Sequence, residues 1–318
     1  MILLFLFLFV VAAPIIIWTY FRLTSGICKC SRHLVGKVVI VTGGNAGIGF
    51  ETAKDLAERG ARVILACRDE GRGTTARDKI ISATGNNNVH YRHLDLASLN
   101  SVRKFAQDIL QNENRLDILI NNAGIFGSDN VKTEDGLLLG MQVNHFGPFL
   151  LTFLLLPLLK SSSPSRIINV SSVAHAEGLL DLKNLNAEKE TEKTYLKRKI
   201  YCTSKLCNIL MAVELSNRLK GTGVTANSLH PGVVETDILD DINVKWFQLL
   251  LPLIKLYTKS PWEGAQTSIY LAVSPEVSEV SGKYFIDCHL SNAFGKQAQD
   301  SQLALKLWEA SEIFVGLK

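Results

Sequence analysis

The chain alternates short apolar runs with longer segments whose apolar residues recur every three or four positions. Residues 37–42 (KVVIVT) read as a buried strand and residues 47–59 as a helix with one apolar face. Residues 62–67 (RVILAC) give a second strand, residues 70–83 a charged helix, and residues 89–94 a third strand ahead of a helix over 99–111. Residues 117–121 (DILIN) and 166–171 (RIINVS) are the fourth and fifth strands, with a long helical stretch over 134–160 between them. A helix over 201–219 then leads to strands at 224–229 and 283–286, separated by a helix near 261–272. Short Val- and Ile-rich strands spaced by helices predict an α/β fold, a doubly wound parallel sheet covered on both faces. No break divides residues 36–318, which are expected to form one domain.

Three segments depart from this rhythm. Residues 1–21, from Met1 to Phe21, carry no charge and are nearly all Leu, Phe, Ile and Val. About 20 such residues span a bilayer. Trp18 and Tyr20 sit at one end, and Arg22, Lys29 and Arg32 follow in a basic linker over 22–35. This pattern predicts a membrane anchor with the rest of the chain in the cytosol. The rival, a cleaved signal peptide, lacks the basic start and the small-residue cleavage site it needs. Residues 180–199 are polar and highly charged, and are expected to be an exposed excursion. Residues 243–257 (NVKWFQLLLPLIKLY) are strongly apolar but interrupted by Pro252. They read as a helix on the core, a lid over a substrate mouth, or a second contact with a bilayer surface.

Composition narrows the partners. Net charge is +4 with no basic stripe, so nucleic acid is not expected. The 6 cysteines have no paired C-x-x-C spacing, and the 7 histidines no ligand spacing, so neither a disulfide framework nor a metal is expected. Cys28 and Cys30, beside the apolar segment, are candidates for acylation or are ordinary cysteines.

The chemistry concentrates in two places. Gly43-x-x-x-Gly47-x-Gly49 joins the first strand to the first helix, as a phosphate-binding turn does. There Gly43, Asn45, Ala46, Gly47, Ile48 and Gly49 would bring backbone against a pyrophosphate, with the helix N-terminus supplying N–H donors. The second strand ends Ala66-Cys67-Arg68. Cys67 cannot hold a ribose 2′-hydroxyl as an acid would, whereas Arg68 can pair with a 2′-phosphate. NADP(H) is therefore the expected cofactor, unless Arg68 is merely a solvated arginine. Asp95 and Leu96, after the third strand, either face the adenine or cap a helix. The second place is Tyr201-Cys-Thr-Ser-Lys205. A lysine one helical turn from a tyrosine shares its face and favours the phenolate, which makes the phenol usable for proton transfer. Tyr195-x-x-x-Lys199 has the same spacing, but it lies in the charged excursion, where a phenol would be solvated.

In order along the chain, Thr42-Gly-x-x-x-Gly-x-Gly49, Asn121-Asn122-Ala123-Gly124, Asn144, Ser171-Ser172, Tyr201-x-x-x-Lys205 and Pro231-Gly232 resemble the short-chain dehydrogenase/reductase family. The segments Ala66-Cys-Arg-Asp69, Val143-Asn-His-x-Gly147, Val170-Ser-Ser-Val-Ala-His175, His230-Pro-Gly-Val-Val234, Glu263-Gly-Ala-Gln-Thr267 and Ser281-Gly-Lys-Tyr284 are similar to its membrane-anchored retinol dehydrogenase branch, the group of retinol dehydrogenases 11 to 14. The resemblance implies a Rossmann fold and NADP(H)-dependent interconversion of retinol and retinal, or of other lipid-like alcohols and aldehydes. It also implies attachment to the endoplasmic reticulum. By the same resemblance Tyr201 is the acid/base, Lys205 lowers its pKa, Ser172 rather than Ser171 binds the substrate oxygen, and Asn144 fixes a helix kink and a relay water. Asn122, Ala123 and Gly124 would line the cofactor cleft, and Pro231, Gly232, Val233 and Thr236 the nicotinamide. His145 and His175 flank the site and are expected to be packing residues. Two alternatives stay open: a reductase of steroid, isoprenoid or lipid-peroxidation aldehydes, and a non-catalytic cofactor-binding scaffold. The oligomeric state is not legible in the sequence.

Overall fold

The computed structural model describes residues 24–126, 128–234, 258–293 and 295–318, with four isolated positions before residue 24. Thr236, residues 243–257 and nearly all of residues 1–21 lie outside the described residues.

Eight strands form one sheet: β1 (Val38–Thr42), β2 (Arg62–Cys67), β3 (Val89–His93), β4 (Ile118–Asn121), β5 (Ser165–Val170), β6 (Val224–His230), β7 (Tyr284–Ile286) and β8 (His289–Leu290). Their spatial order is β3-β2-β1-β4-β5-β6-β7-β8. All neighbours are parallel except β7 and β8, which pair antiparallel. The order reverses between β1 and β4. At such a switch point the connections leave in opposite directions and open a crevice at the carboxyl ends of the strands.

Both faces of the sheet are covered, which is why β1, β4, β5 and β6 are buried at every position and β1 and β4 are largely apolar rather than alternating. Val39 and Val41 of β1 pack with helices α1 (Gly47–Glu58) and α2 (Glu70–Thr84) on one side. Val38 and Ile40, pointing the other way, pack with α3 (Leu99–Asn112), α4 (Leu139–Ser161) and α5 (Lys197–Arg218). Helix α6 (Pro261–Val273) joins the first layer through Ala265 and Ile269. It starts on a capping box in which Ser260 and Glu263 satisfy each other's backbone N–H groups.

Several expectations are corrected. The long helix begins at Leu139 rather than near 134, because residues 131–138 close a small turn through the Lys132–Leu138 bridge. Its apolar stretch is long enough to cross a membrane, but 72% of it is buried inside the protein, so it is a core helix. Helix α5 starts at Lys197, one turn before Tyr201. The charged excursion is pinned to the domain: Leu180, Leu185 and Ala187 are buried in the core, and Asn186 Oδ1 accepts from Leu138 N at 2.7 Å. A last helix, α7 (Ser301–Phe314), was not apparent in the sequence pattern. It packs across α4 and α5, with Trp308 edge-on to Phe149 at 4.7 Å and Arg218 over the Trp308 ring at 4.6 Å.

Candidate active site

A cleft of about 750 Å³ opens at the carboxyl ends of β1, β4, β5 and β6. The glycine turn forms its floor. Gly43 has φ +64°, and a Cβ on Gly49 would lie 2.3 Å from Gly43 O and 2.4 Å from Asn122 Nδ2. The backbone is therefore packed on backbone here, which leaves the turn's N–H groups at the cleft without side-chain bulk over them. Asn122 locks the turn from β4: its Nδ2 donates to Thr42 O at 2.9 Å, while Thr42 Oγ1 accepts from Asn122 N and Ala123 N. A helix N-terminus behind a bare backbone cradle fits the pyrophosphate of a dinucleotide.

At the far end, Ala66, Cys67, Arg68, Asp69 and Arg72 line the cleft. Burial pushes the Cys67 thiol up to about 11, so it brings no negative charge. The Asp69 carboxylate is occupied as the N-cap of α2, accepting from Arg72 N at 2.8 Å. Asp95 also lines the cleft, but the N-cap of the next helix is Ser98; Asp95 Oδ1 instead accepts from Ala97 N at 2.9 Å. The capping alternative for Asp95 is thus corrected.

At the near end, Tyr201 and Lys205 line the same cleft from α5. Lys205 Nζ lies 5.6 Å from the Tyr201 ring centre and donates to Val170 O at 3.1 Å. Burial pushes Lys205 down to about 8. Burial also raises the Tyr201 phenol above its ordinary value, opposed by a hydrogen bond with Ser172. The expected lowering by Lys205 is not among the influences on the phenol. Phe126 forms a wall beside the phenol, edge-on at 4.9 Å between ring centres.

The two serines divide their work. Ser171 Oγ donates to Lys205 O at 2.6 Å and is buried, whereas Ser172 caps a short turn by accepting from Ala174 N and meets Tyr201. Asn144 sits where α4 widens into a single π turn, Gln142–Phe146. Such turns push one side chain out of the regular register and recur at functional sites. Asn144 Oδ1 accepts from Ile125 N, and its Nδ2 donates to Ile125 O and to Ser204 Oγ.

The short chain dehydrogenase pattern matches residues 37–245. The chain belongs to the short-chain dehydrogenase family. As a short-chain dehydrogenase it is a nicotinamide-dependent oxidoreductase acting on CH–OH groups. Retinol dehydrogenase 11 of Mus musculus is 47% identical over 296 residues, covering 93% of this chain and 91% of that protein. Retinol dehydrogenase 13 of Homo sapiens is 47% identical over 299 residues, covering 93% and 89%. The chain is accordingly of the retinol dehydrogenase 11–14-like branch. Among solved structures, the RhlG/NADP active-site complex of Pseudomonas aeruginosa is 28% identical with a TM-score of 0.62, covering 80% of this chain and 95% of that one.

Within this short-chain dehydrogenase the cleft gathers Gly43, Asn45–Gly49, Arg68, Asp95, Leu96, Asn122–Gly124, Tyr201, Lys205 and Pro231 from the sequence reading. Gly232 and Val233 follow Pro231 at the rim, with Val233 53% exposed. Ser172 reaches the site through Tyr201, and Asn144 through Ile125. The rejected Tyr195 is not solvated as expected: its hydroxyl donates to Ser128 O at 3.0 Å, so it holds the excursion to the loop after β4. His145, buried and pushed down to about 3, hydrogen-bonds Ser311, and His175 accepts from Gly295 N; both hold structure together. Sequence reasoning missed Arg72 and Pro261 at the cleft. Arg72 stands in the first turn of α2, whose charged pattern reads as solvated. Among the described residues no group of three or more His, Cys, Asp or Glu is placed to hold a metal ion.

Proposed function

We propose that the chain is an NADP(H)-dependent oxidoreductase that interconverts retinol and retinal, or a similarly lipophilic alcohol and aldehyde, with Tyr201 as acid and base. The observation that carries it is a half-buried phenol and a buried ammonium converging on the cleft that begins at the glycine turn. Two relatives of nearly half identity are named retinol dehydrogenases. Val173 and Val233, beside Ser172 and Gly232, give the near end an exposed apolar rim that suits a lipophilic substrate.

When bound, the nicotinamide supplies or accepts the hydride. The chain's own residues manage the rest. Tyr201, kept protonated by burial, donates its proton to the carbonyl oxygen in reduction and takes it back in oxidation. Ser172 holds the phenol, and through it the substrate oxygen, in line. Lys205, cationic below about pH 8, offsets negative charge that develops on the phenolic oxygen. Asn144 fixes the backbone of Ile125 at the cleft wall. The preference for NADP(H) rests on Arg68 and Arg72 at the adenine end, with Asp69 and Asp95 both engaged by backbone N–H groups. The complex of RhlG with NADP supports it. Residues 1–21 attach the domain to a membrane in this reading, with the cleft on the cytosolic side.

The test is a panel of all-trans-retinal, steroid and aliphatic aldehydes, each assayed with NADPH and NADH. Retinal turnover with NADPH is expected. Turnover of steroid or aliphatic carbonyls alone moves the substrate claim to those classes, and cofactor binding without turnover of any carbonyl leaves only the scaffold.

A further inference from the structure

The segment that leads from residue 23 into the domain is not a loose linker. Cys28 N donates to Gln266 Oε1 at 3.1 Å, and Arg59 Nη1 donates to Cys30 O at 2.6 Å and Arg32 O at 3.2 Å. Cys28 and Cys30 pack on the buried face of α6 and α1. The strap starts at Gly26, whose N–H donates to Asp287 Oδ1 at 3.2 Å. A Cβ on Gly26 would lie 1.9 Å from Asp287 O, so only glycine lets the strap press this closely against the hairpin.

Asp287 sits in the two-residue turn between β7 and β8, with φ +52°, followed by Cys288 at φ +61°. That left-handed turn holds the carboxylate out from the sheet edge. The same Oδ1 that accepts from Gly26 also accepts from Lys259 Nζ. Lys259 in turn belongs to the rim of the cleft. Its N–H donates to Val233 O at 2.8 Å, it bridges Val234, and its stem packs on Gly232, where a Cβ would lie 2.6 Å from Lys259 Cδ. The pair is half-buried, with side-chain exposures of 15% for Lys259 and 34% for Asp287, so it is less screened than a surface ion pair.

One oxygen thus serves two elements: the strap behind the N-terminal apolar segment, and the loop that borders the nicotinamide end. We propose that Asp287 is a positioning residue that couples the strap to the Gly232–Val234 rim. How firmly the rim is set then depends on whether the strap is seated. The assignment of that rim to the nicotinamide rests on the function proposed above; the mechanical coupling does not.

The test uses the full chain in detergent micelles and two readouts, hydrogen exchange and kcat/KM. Gly26→Ala is expected to unseat the strap and speed exchange at the amides of 232–234 by tenfold or more. Reciprocity requires that Lys259→Met speed exchange at residues 27–30. In an Asp287→Ala background, which lacks the shared oxygen, neither substitution should add to the effect at the distant site. A merely structural role for Asp287 would give additive effects in the two backgrounds. If Gly26→Ala leaves 232–234 unchanged, or Lys259→Met leaves 27–30 unchanged, the coupling is refuted. Coupling by exchange with no change in kcat/KM keeps the coupling and refutes the placement of the nicotinamide at this rim.

Discussion

Asn144 grips both backbone polar groups of one residue: its Oδ1 accepts from Ile125 N at 2.8 Å and its Nδ2 donates to Ile125 O at 3.0 Å. The third contact, to Ser204 Oγ at 3.0 Å, ties that residue to the helix carrying Tyr201 and Lys205. Asn144→Leu leaves the buried Ser204 hydroxyl and two part-buried backbone groups of Ile125 without this partner, at a cost of up to about 1–3 kcal/mol for the buried one. Both Tm and kcat should fall, kcat by about tenfold or more, with NADPH affinity little changed. A variant that melts lower yet keeps full kcat would show that Asn144 acts on stability alone.

Tyr201→Phe removes the transferable proton and keeps the ring against Phe126. Loss of a general acid typically costs about 10²–10⁴ in rate, and NADPH should bind as before. Tyr195→Phe should leave turnover within about twofold, since the Tyr195 hydroxyl donates to Ser128 O. The reverse pattern would transfer the acid/base role to Tyr195.

Lys205 predicts a gain in stability together with a loss of function. Its folded pKa of about 8 lies below the ordinary value of 10.5. Below pH 8 the group is charged folded and unfolded, and the cost of burying the ammonium is fully present. Between about pH 8 and 10.5 the unfolded chain binds the proton and the folded one does not, so stability rises with pH by up to about 1.4 kcal/mol per unit. Lys205→Met should therefore raise the Tm of the cofactor-free protein at pH 7 and flatten its rise above pH 8, while abolishing turnover. A Tm lowered at pH 7 would mean that the ammonium stabilises the fold.

Arg68→Asp and Arg72→Asp place a carboxylate where a 2′-phosphate is expected. A charge-assisted contact of about 1.5–3 kcal/mol corresponds to roughly ten- to hundredfold in affinity. The ratio of KM for NADPH to KM for NADH should rise by that factor in at least one of the two. If both ratios are unchanged, the 2′-phosphate reading of this end is wrong.

The parallel sheet was legible because strands buried on both faces are apolar nearly throughout, as Val38–Thr42 and Ile118–Asn121 are except at their last residues. The site was legible because its parts are fixed by short spacings: a glycine turn after a strand, and Tyr201 one turn before Lys205. What escaped depends on distant contacts. The π turn at Gln142–Phe146 leaves no mark in hydropathy, since the same mix of polar and apolar residues would suit a regular helix. The start of α5 at Lys197 is hidden by its charges, and the burial of Tyr195 depends on a carbonyl 67 residues away. The β7–β8 turn has positive φ at Asp287 and Cys288, without the Asn or Gly that announces such a hairpin.

Helix α7 leaves the ribosome after the helices it covers. Until Trp308 emerges, Phe149 and Arg218 wait without the ring that covers them. A premature stop ahead of Ser301 would spare every residue of the cleft and still leave an apolar stripe bare on the nascent protein. Such a truncation should be met by chaperones and proteases before any assay for its chemistry could be run.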